Sequence, residues 1–104
     1  MTSQISLFYA RTPLARIRGL LGKPNLPPGE GLVITPCNAI HTIRMKFALD
    51  VRFFDKKGNL VRVYTSVPPG KCFLWGGFKA YSVLETQAGD PAFAHLTQLP
   101  NEEK

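Results

Sequence analysis

The chain has 104 residues and a formal net charge of +6, with 44% hydrophobic and 19% charged residues. That length is one domain, long enough to bury a core without a metal or disulfide staple, and the composition excludes a disordered or fibrous chain. Apolar runs of about 18 residues are missing, which excludes a membrane-spanning helix, and the two cysteines, Cys37 and Cys72, are too few for a disulfide framework or a zinc-ligand set.

The first residues lack the basic start and apolar stretch of a secretory signal, so a cytoplasmic location is expected. Residues 4–9 form a short apolar run suited to an edge strand. A helix is predicted next: Thr12 caps it, Pro13 takes its first position, and Gly22 stops it. Leu14, Ile17, Leu20 and Leu21 make its buried stripe. Residues 23–31 are a proline- and glycine-rich loop, and 31–35 a β-branched strand ended by Pro36.

After the connection Cys37-Asn38-Ala39 comes the most patterned stretch, residues 40–55. Its odd positions carry His41, Ile43, Met45, Phe47, Leu49, Val51 and Phe53; its even ones carry Thr42, Arg44, Lys46, Ala48, Asp50 and Arg52. Strand side chains alternate between two faces, so this predicts one long strand with an apolar face and a charged face. Residues 55–59, opening on Asp55 and containing Gly58, predict a hairpin loop. The alternating residues 60–67 should return antiparallel to 50–54. Residues 71–75 and 80–87 read as further strands, the first closed by Gly76-Gly77. Asp90 and Pro91 open a short C-terminal helix, with Phe93 and Leu96 spaced to reach the core. The expected fold is therefore α+β. It is a β-rich single domain with a curved or barrel-like, mostly antiparallel sheet, an N-terminal helix and a short C-terminal helix. The domain spans 1–104, with a core over about 4–99 and a frayed tail at 100–104.

Five pieces of this chain, in order, resemble a known family. They are Arg18-Gly19-Leu20-Leu21-Gly22, then Glu30-Gly31-Leu32-Val33-Ile34, then residues 36–42 (PCNAIHT) with 45–51 (MKFALDV). Asp55 with Gly58, and Val83-Leu84-Glu85 with Ala88-Gly89, complete the set. Together they cover residues 11–90 and resemble the bacterial and archaeal domain-of-unknown-function family one hundred and ninety-two. The resemblance implies a small β-rich α+β fold and no established activity. Some members carry export signals, which are not visible here. Three features depart from the family pattern. Ala48 replaces a frequent proline, Ile43-Arg44 replaces a more aromatic pair, and the further glycine-led strand after Gly89 is missing.

Several residues have chemistry worth weighing against their ordinary roles. Cys37, His41 and Met45 share a parity and are soft ligands of the kind copper(I) takes. Cys and Met are also common core residues, so no metal and no cofactor is called for. Cys37 with His41 makes a thiol and base, oriented by Asn38 or Asp50 if a bulge brings the latter round. Asp50 and Glu85 are candidates for a carboxylate pair, set against ordinary pairing with cross-strand arginines. Cys37, Asn38, His41 and Thr42 suit the polar floor of a pocket beside the Gly/Pro loop, with Arg18 and Asp50 as neighbours. Arg44, Lys46, Arg52 and Arg62, with Phe54 and Tyr64 nearby, make a basic and aromatic sheet face of the sort that meets nucleic acid. Trp75, the Gly76-Gly77 pair and Phe78 form an apolar corner that suits core or contact.

The reading that stands first is a binding or accessory module for a small ligand or protein partner, through the pocket around residues 37–42. The balance is against an enzyme. Two alternatives remain: an enzyme using Cys37 and His41 for hydrolysis or thiol chemistry, and a nucleic-acid binder using the basic face.

Overall fold

A computed structural model describes residues 5–12 and 24–100. In chain order the strands are β1 (Ser6–Ala10), β2 (Glu30–Ile34), β3 (Ala39–Ile40), β4 (Leu49–Phe54), β5 (Leu60–Val67), β6 (Leu74–Trp75) and β7 (Ser82–Gln87). Five of them form one open sheet, ordered β1-β2-β7-β4-β5; β3 and β6 form a second, two-stranded ribbon. The β1–β2 pair is parallel and the other pairs are antiparallel.

The central strands β4 and β7 are the most buried. Residues directly opposite each other share a face, so the register Leu49↔Gln87, Val51↔Glu85 and Phe53↔Val83 sets one face of β4 and β7. That face joins Leu49, Val51, Phe53, Val67 and Val83 to Ile34, Ala10, Leu26 and Met45 in one core. The opposite face gathers Val33, Leu84 and Phe54 under Phe93, with Leu7, Tyr9, Leu96 and Leu99 around them. All six residues of β4 are buried. The segment after β7 causes this. It turns at Gly89 and Asp90 and crosses the second face. It is then tied to the β4–β5 hairpin by Leu60 N–H to Thr97 O (3.0 Å) and Leu99 N–H to Gly58 O (2.7 Å).

Three expectations are corrected. The described residues contain no α-helix, so they are β-rich rather than α+β. The short C-terminal helix is a three-residue 3-10 turn at Pro91–Phe93, capped as anticipated by Asp90, whose carboxylate accepts from Ala92 N–H. Pro91 and the capping bond favour one tight turn, and tethering to the hairpin then draws the chain out. The sheet is open, not barrel-like: β1 and β5 are its two edges and do not meet. The predicted N-terminal helix over residues 13–22 lies outside the described residues.

The long strand predicted through residues 40–53 is also interrupted. β3 stops at Ile40, and β4 starts only at Leu49. Between them Arg44 takes a positive φ of 67°. The break follows from the buried Thr42, whose backbone carbonyl accepts from Met45 N–H (3.1 Å) and Gly70 N–H (2.8 Å). Those bonds close a local turn where a strand ladder would need the same group. The hairpin at 55–59 forms as expected, with Asp55 Oδ1 accepting from the N–H groups of Lys57 and Asn59, each at 2.9 Å, and Gly58 at φ 86°.

Candidate functional site

Pro36, Cys37 and Asn38 run beside the start of β7. The Cys37 N–H donates to Tyr81 O at 2.7 Å, and Asn38 O accepts from Gly76 N–H at 2.8 Å. These two bonds hold the connection at a fixed distance from residues 76–81. Between them lies a groove of about 260 Å³ lined by Pro36, Cys37, Asn38, Ala80 and Tyr81. Cys37 is half-buried and Asn38 exposed. The thiol donates to Ala39 O at 3.1 Å.

The other expected pocket residues are placed elsewhere. Thr42 is fully buried. Its hydroxyl donates to Pro68 O (2.8 Å) and accepts from Lys71 N–H (2.9 Å), pinning the 68–71 turn to the 41–45 loop. His41 is exposed, and its Nδ1 accepts from Ile43 N–H at 3.2 Å. Asp50 is buried between two backbone donors: Oδ1 accepts from Ser66 N–H (2.8 Å) and Oδ2 from Gly89 N–H (2.9 Å). Ser66 has φ 50°, at the register shift between Leu49 and Val51, so the carboxylate replaces a ladder bond that the bulge removes. Arg18 lies outside the described residues. Of the expected pocket set, Cys37 and Asn38 line the groove; His41, Thr42 and Asp50 are not among its lining.

The four cations expected on one sheet face are not gathered on one. Arg44 and Lys46 are exposed on the 41–48 loop. Arg52 is 7% exposed and donates to Thr86 Oγ1 at 3.3 Å on the face covered by the C-terminal segment. Arg62 lies opposite Phe53, on the other face, and donates to Tyr64 Oη (3.3 Å) and Trp75 O (3.4 Å). Cys72, within the expected 71–75 strand, is exposed, because β6 begins only at Leu74.

Asp50 and Glu85 do not pair either, since Thr86 is the residue opposite Asp50 and Glu85 is opposite Val51, on the other face. Glu85 lies in the apolar layer between Val51 and Leu32 at 4% exposure. Burial alone pushes its carboxyl up from 4.5 to about 7. Among the described residues no three His, Cys, Asp or Glu side chains group as metal ligands. Nor is any described helix long and apolar enough to cross a membrane.

One feature escaped sequence reasoning. Beyond Tyr81 a second groove, of about 460 Å³, shares Ala80 and Tyr81 with the first and carries Lys56, Lys57, Lys79 and Phe78. Its residues come from a hairpin loop and a glycine turn far apart in sequence, so no local pattern announces it. Only one part of it was legible, the corner of Trp75, Gly76-Gly77 and Phe78 that suits core or contact.

Comparison with known proteins gives a family and a fold. The family model described as DUF192, Uncharacterized ACR, matches residues 1–97. A crystal structure of a protein of unknown function from Novosphingobium aromaticivorans DSM 12444 superposes with a TM-score of 0.75 at 20% identity, covering 82% of this chain and 64% of that one. A protein from Sinorhizobium meliloti 1021 described as "a putative transcription regulator" superposes with a TM-score of 0.79 at 17% identity, covering 90% of this chain and 77% of that one. The chain thus spans under two thirds of the Novosphingobium protein's length. At these identities the likeness is one of fold alone. The sequence matches no curated protein.

Proposed function

The chain belongs to the DUF192 family, and from that premise we propose that it is a small binding module rather than an enzyme, with its site in the groove between residues 36–38 and Tyr81. The observation that carries this reading is the groove of about 260 Å³ whose two walls are tied together by the Cys37–Tyr81 backbone bond. A rigid cleft with an exposed amide at Asn38 and a phenol at Tyr81 has the makings of a recognition site: shape from the backbone, and a few polar groups to fix orientation.

The groups an enzyme would recruit are engaged in holding the fold. Thr42 uses its hydroxyl as both donor and acceptor, His41 Nδ1 is taken by Ile43 N–H, and both Asp50 oxygens accept from backbone. Cys37 Sγ donates to Ala39 O within its own connection.

Alkylation of Cys37 in a Cys72→Ser background tests this. An ordinary thiol reacts slowly at neutral pH and accelerates as pH approaches about 8.5. Fast alkylation already near pH 6 would instead mark a thiolate and overturn the reading in favour of thiol chemistry. A screen of small polar fragments by amide chemical shift should move the signals of Asn38 and Tyr81 first. Shifts centred on His41 and Thr42 would place the site elsewhere.

A further inference from the structure

The groove beyond Tyr81 combines cations with rings in a way that core packing does not require. Lys56, Lys57 and Lys79 line it and are exposed. Its one acidic lining residue, Asp55, already has Oδ1 bonded to two backbone N–H groups. Phe78 is 95% exposed and Tyr81 39%. Lys56 Nζ stands 5.5 Å from the Tyr81 ring centre.

The exposure of Phe78 is built into the turn that carries it. Gly77 takes φ 100°, which a side chain would strain. Ala80 N–H closes the turn onto Gly77 O. At Gly76 an added Cβ would run into the Phe53 ring, so the backbone lies directly on the core. Trp75 meets Phe78 at 4.7 Å with the rings perpendicular, bracing it from one side. A phenyl ring held out of the core in this way, in a groove lined by three lysines, combines a stacking platform with cations for a phosphate. Flat bases stack on such rings while cations meet the backbone charge.

We propose that this groove binds a nucleotide unit, with the base stacked on Phe78 and the phosphate among Lys56, Lys57 and Lys79. The volume, about 460 Å³, is that of a site for one small ligand. A purely acidic ligand would use the lysines and leave the ring idle. The inference goes beyond the binding-module reading by naming a second groove and a ligand class. It does not depend on Cys37 or Asn38.

The test is fluorescence anisotropy with a labelled oligouridylate of about ten nucleotides at low salt, on the full chain. Phe78→Ala removes the ring without changing charge or core, and should weaken binding about tenfold. Lys57→Ala and Lys79→Ala should each weaken it and flatten its salt dependence by about 0.7 in the log–log slope. Phe8→Ala, which removes an exposed ring on the edge strand β1 outside both grooves, should bind as the wild type does. Competition separates the sources. Displacement by uridine monophosphate indicates a free nucleotide, displacement only by unlabelled strand indicates single-stranded nucleic acid, and either supports the proposal. It is overturned if no binding is seen at low salt, if Phe78→Ala binds as tightly as wild type, or if polyglutamate displaces the strand equally well.

Discussion

Three buried polar side chains show how single residues organise this molecule. Thr42 and Asp50 each make two side-chain hydrogen bonds to backbone groups of distant turns. Glu85 differs, because it lies within the apolar layer and burial raises its carboxyl to about 7. The sign of the resulting pH dependence follows from linkage. The unfolded carboxyl ionises near 4.5 and the folded one near 7, so between these values the folded state holds more proton. The stabilisation this gives is fully present below about pH 4.5, declines as pH rises, and is gone above about 7. The gap between the two values corresponds to about 3 kcal/mol. Glu85→Gln should therefore remove a pH-dependent loss of stability between about pH 5 and 7, measured as the difference in urea midpoints between variant and wild type across that range. Parallel curves for the two proteins would show that Glu85 does not titrate in the window.

At the scale of elements, the connection between β6 and β7 matters most. Residues 76–81 supply one wall to both grooves and carry Phe78 and Tyr81. Their path depends on Gly76, where an added Cβ would meet the Phe53 ring and lie 2.7 Å from Ala80 Cβ. Gly76→Ala should cost about 1–3 kcal/mol by overpacking and shift the turn outward. Thermal unfolding reads the first effect, and the near-ultraviolet signal of the Trp75–Phe78 pair reads the second. An alanine tolerated with neither change would mean that the turn is not tied to the core at this point. The interruption between β3 and β4 belongs to the same scale. It puts Cys37 and Asn38 on one side of a loop and Asp50 on the other, and so divides the expected pocket.

For the whole molecule, the decisive feature is the chain's return across the second face of the sheet. Phe93, with Leu96 and Leu99, closes over Phe54, Leu84 and Val33. Phe93→Ala should destabilise the fold by about 3–5 kcal/mol in chemical denaturation, far beyond the effect of a substitution on a solvated tail. A loss under about 1 kcal/mol would show that the segment is peripheral. This return also explains why Arg52 is buried and why the alternating pattern misjudged which residues meet water. Within β4 alternation separates the two faces, but it carries no information on breaks, bulges or whether the second face will be covered.

The order of the apolar runs, the hairpin at Asp55 and Gly58, the cap at Asp90 and the family motifs were all legible in the sequence, because each rests on residues close together in the chain. The break after Ile40 was not, since it depends on Thr42 meeting Pro68, Gly70 and Lys71 some 26 to 29 residues away. Cys37 and Asn38 could be singled out by type, but their partner wall at Tyr81 could not. The lysines and rings of the second groove were ordinary loop residues until the hairpin and the glycine turn came side by side. Local chemistry determined the elements and their ends. Only tertiary structure decided which polar groups are consumed in holding those elements together and which are left facing solvent, because hydrogen bonds and burial are shared out between segments that the chain itself keeps far apart.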